Sequence, residues 1–205
     1  MTSRLLLLNG SLRGSTGNTA ALLERAGRFL APDWRADTLC LADYAGSIES
    51  LAERLLAADA ILIGSGAYWG SWGSPLQRFF EVMSSYELSS CFLGKPAGAV
   101  ISADSVGGLE IAQRALGAFS LFGCLIPPLS TVVVSRAASA AIDADPEANA
   151  DVWHVDDLEV VVRNLVAAQA LRAIAWATWP VRKLPQLRGA YPTHGALADG
   201  LGKFS

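Results

Sequence analysis

Hydrophobic positions fall into two patterns that alternate along the chain. Leu5–Leu8, Ala60–Ile63, Ala97–Ile101 and Thr131–Val134 are short stretches that are apolar or β-branched at nearly every position. A strand without polar alternation is one buried on both faces, as in a parallel sheet covered by helices. Between these runs the apolar residues recur at helical spacing. One helix is predicted from Asn18 towards Pro32, with Ala21, Leu22, Ala26, Phe29 and Leu30 on its inner face. Others are predicted at Ile48–Ala58, Pro75–Met83 and Gly108–Phe122, and Val152–Ala175 reads as one long final helix. Residues 34–41 alternate loosely and make a further strand. Five strand–helix units in succession predict an α/β fold, a doubly wound five-stranded parallel sheet with helices on both faces. Right-handed crossovers favour the strand order 2-1-3-4-5. Periodicity is lost from Ala177, where Pro180, Pro185 and Pro192 follow. Residues 1–176 therefore read as one domain and 177–205 as an extended tail, either frayed or packed as an arm on a partner subunit.

Composition narrows the functional classes. The chain has 205 residues, 16 basic against 19 acidic, and a formal charge of −3. A mildly acidic protein lacks the basic face that nucleic acid requires. Apolar residues make up 52% and charged residues only 17%, which fits surface covered in an oligomer or around a ligand. Ala115–Leu129 and Leu165–Trp179 are the most apolar stretches, interrupted by Pro127-Pro128 and Arg172. Neither reaches the ~20 residues that cross a membrane. Cys40, Cys91 and Cys124 are scattered, odd in number and without a CxxC, so a reducing, cytoplasmic setting is expected.

In a doubly wound sheet, ligands bind beyond the carboxyl ends of the strands where the strand order reverses. Here that selects the segments after the first and third strands. The first, Asn9 to Thr19, is rich in glycine and hydroxyl groups, contains Arg13, and opens a helix. Unpaired N–H groups at a helix start suit a phosphate, and a guanidinium adds charge. Asn18 or Thr19 would alternatively serve as a simple helix cap. No Gly-Lys-Ser/Thr follows and no GxGxxG is present, so a monophosphate is favoured over a nucleoside triphosphate or dinucleotide. The second, Gly64 to Pro75, sets Tyr68, Trp69 and Trp72 among glycines, which suits a flat ring or, alternatively, an interface. A polar turn from Ser102 to Gly108 lies on the same rim.

These three segments resemble those of the NAD(P)H-dependent FMN reductase family of flavodoxin-like proteins. Gly10, Ser11, Arg13, Thr16 and Asn18 match the family's phosphate motif, Gly-Ser-x-Arg-x-x-Ser/Thr-x-Asn. Ser65-Gly66-Ala67-Tyr68-Trp69-Gly70-Ser71 is similar to its isoalloxazine loop, with Gly66-Ala67 in place of Pro-Glu and Trp69 in place of Asn or His. Lys95-Pro96, Ser102 and Gly107-Gly108 resemble the third loop. The resemblance implies a flavodoxin-like fold and FMN as cofactor. It assigns the phosphate to Ser11, Arg13, Thr16, Asn18 and Thr19, and the ring to Ala67, Tyr68, Trp69, Gly70, Ser102 and Gly107. It implies hydride transfer from NADH or NADPH to the flavin, a homodimer or homotetramer, and delivery of electrons to an acceptor or to a partner monooxygenase.

The hydride step calls for no acid–base side chain, so none is assigned. Two other readings share the same loops: an FMN-bound quinone, azo or nitro reductase, and a non-enzymatic flavodoxin-like electron carrier. His154 and His194 sit in no metal-ligand pattern, and no GxSxG nucleophile elbow occurs.

Overall fold

Leu5–Leu8 form the middle of β1 (Ser3–Asn9), and their side chains divide between two cores. Leu6 and Leu8 point to one face of the sheet, Leu5 and Leu7 to the other. The computed structural model describes residues 2–144, 154–180 and 185–192. The remaining strands are β2 (Trp34–Cys40), β3 (Ala60–Gly66), β4 (Ala97–Ala103) and β5 (Thr131–Ser135). All pair in parallel in the order β2-β1-β3-β4-β5, as the sequence pattern predicts. Among the described residues, no helix is long and apolar enough to cross a membrane.

Helix α1 (Asn18–Gly27) covers the Leu5/Leu7 face. The opposite face is covered by α2 (Ile48–Ala57), α3 (Ser74–Met83) and α4 (Gly108–Leu121). There Phe79, Phe80, Phe92, Phe119 and Phe122 meet mostly edge to face, an arrangement aromatic rings prefer. Two further helices are α5 (Arg136–Ala144) and α6 (Leu158–Ala168), the latter beside α1 on the Leu5/Leu7 face.

Three expectations need correction. The long final helix is α6 alone, flanked by 3-10 turns at Val155–Asp157 and Gln169–Ala173. Leu171 and Ile174 are apolar but half exposed, so they extend the hydrophobic pattern without extending a packed helical face. The first helix ends at Gly27, and Leu23 rather than Ala21 is buried on it. Helix α5 is absent from the predicted elements: its alanines favour helix, but it follows β5 directly and carries only one large apolar residue, Ile142. Residues 145–153, including part of the predicted final helix, lie outside the described set, as does His194.

The segment 185–192 folds back onto its own chain. Gly189 and Tyr191 exchange backbone hydrogen bonds with Gly46 and Ile48 at the start of α2. Tyr191 is buried, its ring edge-on to Tyr44 at 5.3 Å, and Tyr86 Oη donates to the Leu187 carbonyl.

Lys95 is fully buried, and its Nζ donates to the Leu55 carbonyl in the last turn of α2. Burial, reinforced by the nearby Arg172 cation, lowers its pKa from 10.5 to about 8. The folded state therefore releases this proton at lower pH than the unfolded chain does. Its contribution to stability rises with pH between those two values. Lys95→Met should remove that rise. In urea titrations the wild type is expected to gain about 3 kcal/mol relative to the variant between pH ~7.5 and ~11. A pH-independent difference would mean that Lys95 titrates as an ordinary surface lysine.

Candidate functional site

Asn9 ends β1 and shapes the loop after it. It is buried, its Nδ2 donates to the Gly14 carbonyl at 2.8 Å, and its Oδ1 accepts from Ser11 N at 3.0 Å. These bonds curl residues 10–17 into a tight loop containing one 3-10 turn, Gly14–Thr16. The sequence pattern carries Asn9 only as a strand end; a buried Asn at a strand–loop junction is the signal that it folds the loop.

Gly17, not Asn18 or Thr19, is the N-cap of α1. No side chain caps this helix and no acidic residue lies in its first turn. By contrast, Ser47 Oγ caps α2. The first turn of α1 thus presents uncapped N–H groups and the positive end of the helix dipole. Ser11 Oγ and Thr19 Oγ1 lie in the same region, both residues nearly fully buried. Each reaches across to another loop: Ser11 Oγ lies 3.0 Å from Tyr68 Oη, and Thr19 Oγ1 lies 2.9 Å from Ser102 Oγ. Thr16 turns back to its own loop, donating to the Arg13 carbonyl.

The loop after β3 is drawn against the first. Ser65 Oγ accepts from Gly73 N at 2.9 Å and donates to the Gly66 carbonyl, closing residues 66–73. Gly73 is required here, because a Cβ would stand 2.6 Å from the Gly10 carbonyl oxygen. Within the loop, Tyr68 and Ser71 pair through both backbone hydrogen bonds, at 2.7 and 2.9 Å. Trp69 and Gly70 form the tip, with φ of 49° and 76°, which is a type I′ turn. The loop after β4 joins through Ala67 N, which donates to the Ser102 carbonyl at 2.8 Å. Gly107, at φ 87°, is the N-cap of α4.

These contacts bound a cleft of about 280 Å³ at the carboxyl ends of the strands. Ser11, Arg13, Asn18, Thr19, Ala67, Tyr68 and Ser102, all named from the sequence, line it. Thr16, Trp69, Gly70 and Gly107 stand outside that lining. The structure adds Gly66, Ala103, Asp104 and Arg136. Arg136 holds Asp104 with two contacts, at 2.7 and 3.0 Å, across the rim. No motif marks Arg136; its signal is its place just beyond the carboxyl end of β5. A larger cavity, about 810 Å³, lies between β5 and α6, on the other side of β5. Its lining is mostly apolar, with Leu129, Val132, Val133, Val160 and Val161, and includes Thr131, Ser135, His154 and Asp157; the cleft, which holds the residues of the phosphate motif, carries the functional reading.

The donor set fits a flavin mononucleotide. The uncapped N–H groups of α1, the Ser11 and Thr19 hydroxyls and the Arg13 guanidinium supply donors and positive charge in a cleft whose one lining carboxylate, Asp104, is paired with Arg136. Gly66, Ala67 and Tyr68 line the same cleft together with Ser102, to which Ala67 N donates. Among the described residues, no cluster of His, Cys, Asp and Glu is arranged to hold a metal.

A search of curated protein sequences finds no significant match. Solved structures resemble this chain at low identity. RosB with a bound 8-demethyl-8-formylriboflavin-5'-phosphate superposes with a TM-score of 0.67 at 15% identity, covering 99% of this chain and 88% of that one. The apo form of the NADH:FMN oxidoreductase EMOB gives 0.61 at 13% identity, covering 82% and 89%. A flavodoxin from the domain Archaea gives 0.57 at 16% identity, covering 82% and 98%, and establishes the fold as flavodoxin-like. Residues 3–139, most of the chain and all five strands, match the family described as NADPH-dependent FMN reductase. The chain belongs to that family and is an NAD(P)H-dependent flavin oxidoreductase, with FMN as its cofactor and a nicotinamide nucleotide as co-substrate.

Proposed function

We propose that this protein reduces FMN in the cleft between the loops that follow β1, β3 and β4, taking hydride from NADH or NADPH. The observation that carries the reading is the uncapped start of α1 beside Arg13, at one end of the cleft walled by Tyr68 and Ser102. When bound, FMN supplies the hydride-accepting chemistry. The protein's part is binding and orientation. Ser11, Arg13, Asn18 and Thr19 hold the 5′-phosphate, while Ala67, Tyr68 and Ser102 fix the ring plane. The Ser11–Tyr68 and Thr19–Ser102 contacts couple the phosphate end to the ring end, so both ends are set before ligand arrives. The flavin 5′-phosphate bound by RosB, on the same fold, supports a ligand of this class.

The test is anaerobic mixing of the protein with excess FMN and either NADH or NADPH, following loss of the flavin's visible absorbance. Bleaching of excess FMN over many turnovers is the expected result, and the faster nucleotide is the preferred one. Bleaching of the bound flavin alone would reassign the protein to quinone, azo or nitro reduction. Bound FMN that neither nucleotide bleaches would overturn hydride transfer and leave an electron carrier. The same reading extends to a homodimer or homotetramer, which sedimentation velocity tests. It extends also to a partner monooxygenase, provided that reduced flavin leaves the protein.

A further inference from the structure

Trp69 occupies a position that the fold itself gives no reason to fill with tryptophan. It is the first central residue of the type I′ turn, at φ 49°, where glycine, asparagine or aspartate form the turn with less strain. Its relative exposure is 106%, the highest of the large apolar residues described. The other indole of this loop is used differently. Trp72 lies under the Arg114 guanidinium at 4.7 Å, packs edge-on to Phe80, and donates to Gln77 Oε1.

The turn that carries Trp69 is nonetheless firmly held. Tyr68 and Ser71 close its base, and Arg114 Nη1 donates to the Gly70 carbonyl at 3.3 Å. The residue before Trp69 is Tyr68, which lines the cleft. A large aromatic plane is therefore presented to solvent from a fixed support, one residue along the chain from the cleft-lining Tyr68, in a backbone conformation that disfavours it. No described residue covers the indole or offsets the strain of its backbone.

We propose that Trp69 is a stacking platform for the planar ring of the second substrate, and not part of the wall that holds FMN. The inference rests on the reading of the cleft as the FMN site. Two sources offer such a ring: the nicotinamide nucleotide and an aromatic electron acceptor of the quinone type. Both present a flat, polarisable face to the indole.

The experiment uses FMN-loaded wild type, Trp69→Gly and Trp69→Phe. Calorimetry measures binding of NADP⁺, which carries the ring but donates no hydride, and separately of a naphthoquinone. Flavin fluorescence gives the FMN affinity, and thermal melting gives stability. Trp69→Gly is expected to leave FMN affinity unchanged and the melting temperature equal or higher. It should weaken one ring by about tenfold, with Trp69→Phe restoring most of the loss. Which ring weakens identifies the source. Binding of both rings that is unchanged by the substitution, or absent in wild type, overturns the proposal. A fall in FMN affinity would return Trp69 to the cofactor site. A change confined to sedimentation would assign it to contact between copies. If wild type takes up no FMN, the cleft reading fails first, and the proposal with it.

Discussion

Replacing Arg13 by alanine is expected to weaken FMN binding by roughly 10- to 150-fold. That is the effect of losing one charge-assisted contact worth about 1.5–3 kcal/mol. Arg13 is exposed, lines the cleft, and directly precedes the 3-10 turn that leads to α1. Its side chain makes no hydrogen bond or ion pair to another described residue, so its removal should leave the melting temperature of the ligand-free protein unchanged. The loss should shrink as salt is raised, because an exposed charge is screened. Arg13→Lys should recover only part of the affinity, since an ammonium lacks the planar fork that meets two phosphate oxygens. Flavin fluorescence titrations of the three proteins decide the matter. Unchanged affinity in the alanine variant would mean that the phosphate does not sit on the first loop.

Phe119→Ala is expected to destabilise the fold by about 3–5 kcal/mol, the range for removing a buried aromatic ring. Phe119 has no exposed surface, and its centroid lies 5.4–6.5 Å from those of Phe79, Phe80, Phe92 and Phe122. No neighbour can leave that cluster without losing its own contacts, so collapse into the gap is limited. For a chain of this size the melting temperature should fall by roughly 6–20 °C. FMN affinity, measured well below the melting point, should change far less than in Arg13→Ala, because the cluster lies beneath α3 and α4 rather than in the cleft. A loss below about 1 kcal/mol would show that the cluster repacks around the missing ring.

The fold is readable because the three central strands, β1, β3 and β4, are buried on both faces. Leu5–Leu8 needs no alternation, and its bare apolar run distinguishes a central parallel strand from an exposed one. The cleft is readable because glycines, hydroxyls and an arginine lie between a strand end and a helix start. The unreadable parts have different causes. Helix α5 is mostly alanine with one large apolar residue, Ile142, so it has helical propensity but little hydrophobic bulk to mark it. Leu171 and Ile174 continue the apolar pattern but stand half exposed. Arg136 reaches the rim through strand order, which brings β5 beside β4, rather than through any motif. Adjacency in the chain groups Trp69 with Tyr68. A type I′ turn sends the two in different directions, and tryptophan is not a residue that announces such a turn.

The folded-back segment also dictates when the molecule can finish assembling. Gly189 hydrogen-bonds to the Glu49 carboxylate 140 residues away, and Leu187 meets Tyr86 across 101. Tyr191 fills the core beside Tyr44. During synthesis, strands β1 to β5 emerge well before Tyr191 does. A nascent chain can thus pair its whole sheet while the hydrophobic surface at the start of α2 remains uncovered. Once the sheet and α6 are in place, only the short stretch after Ala173 is left to close, so this docking costs little loop entropy and waits chiefly on the arrival of Tyr191. The interval before closure is the one in which an incomplete chain is most exposed to aggregation and to chaperones.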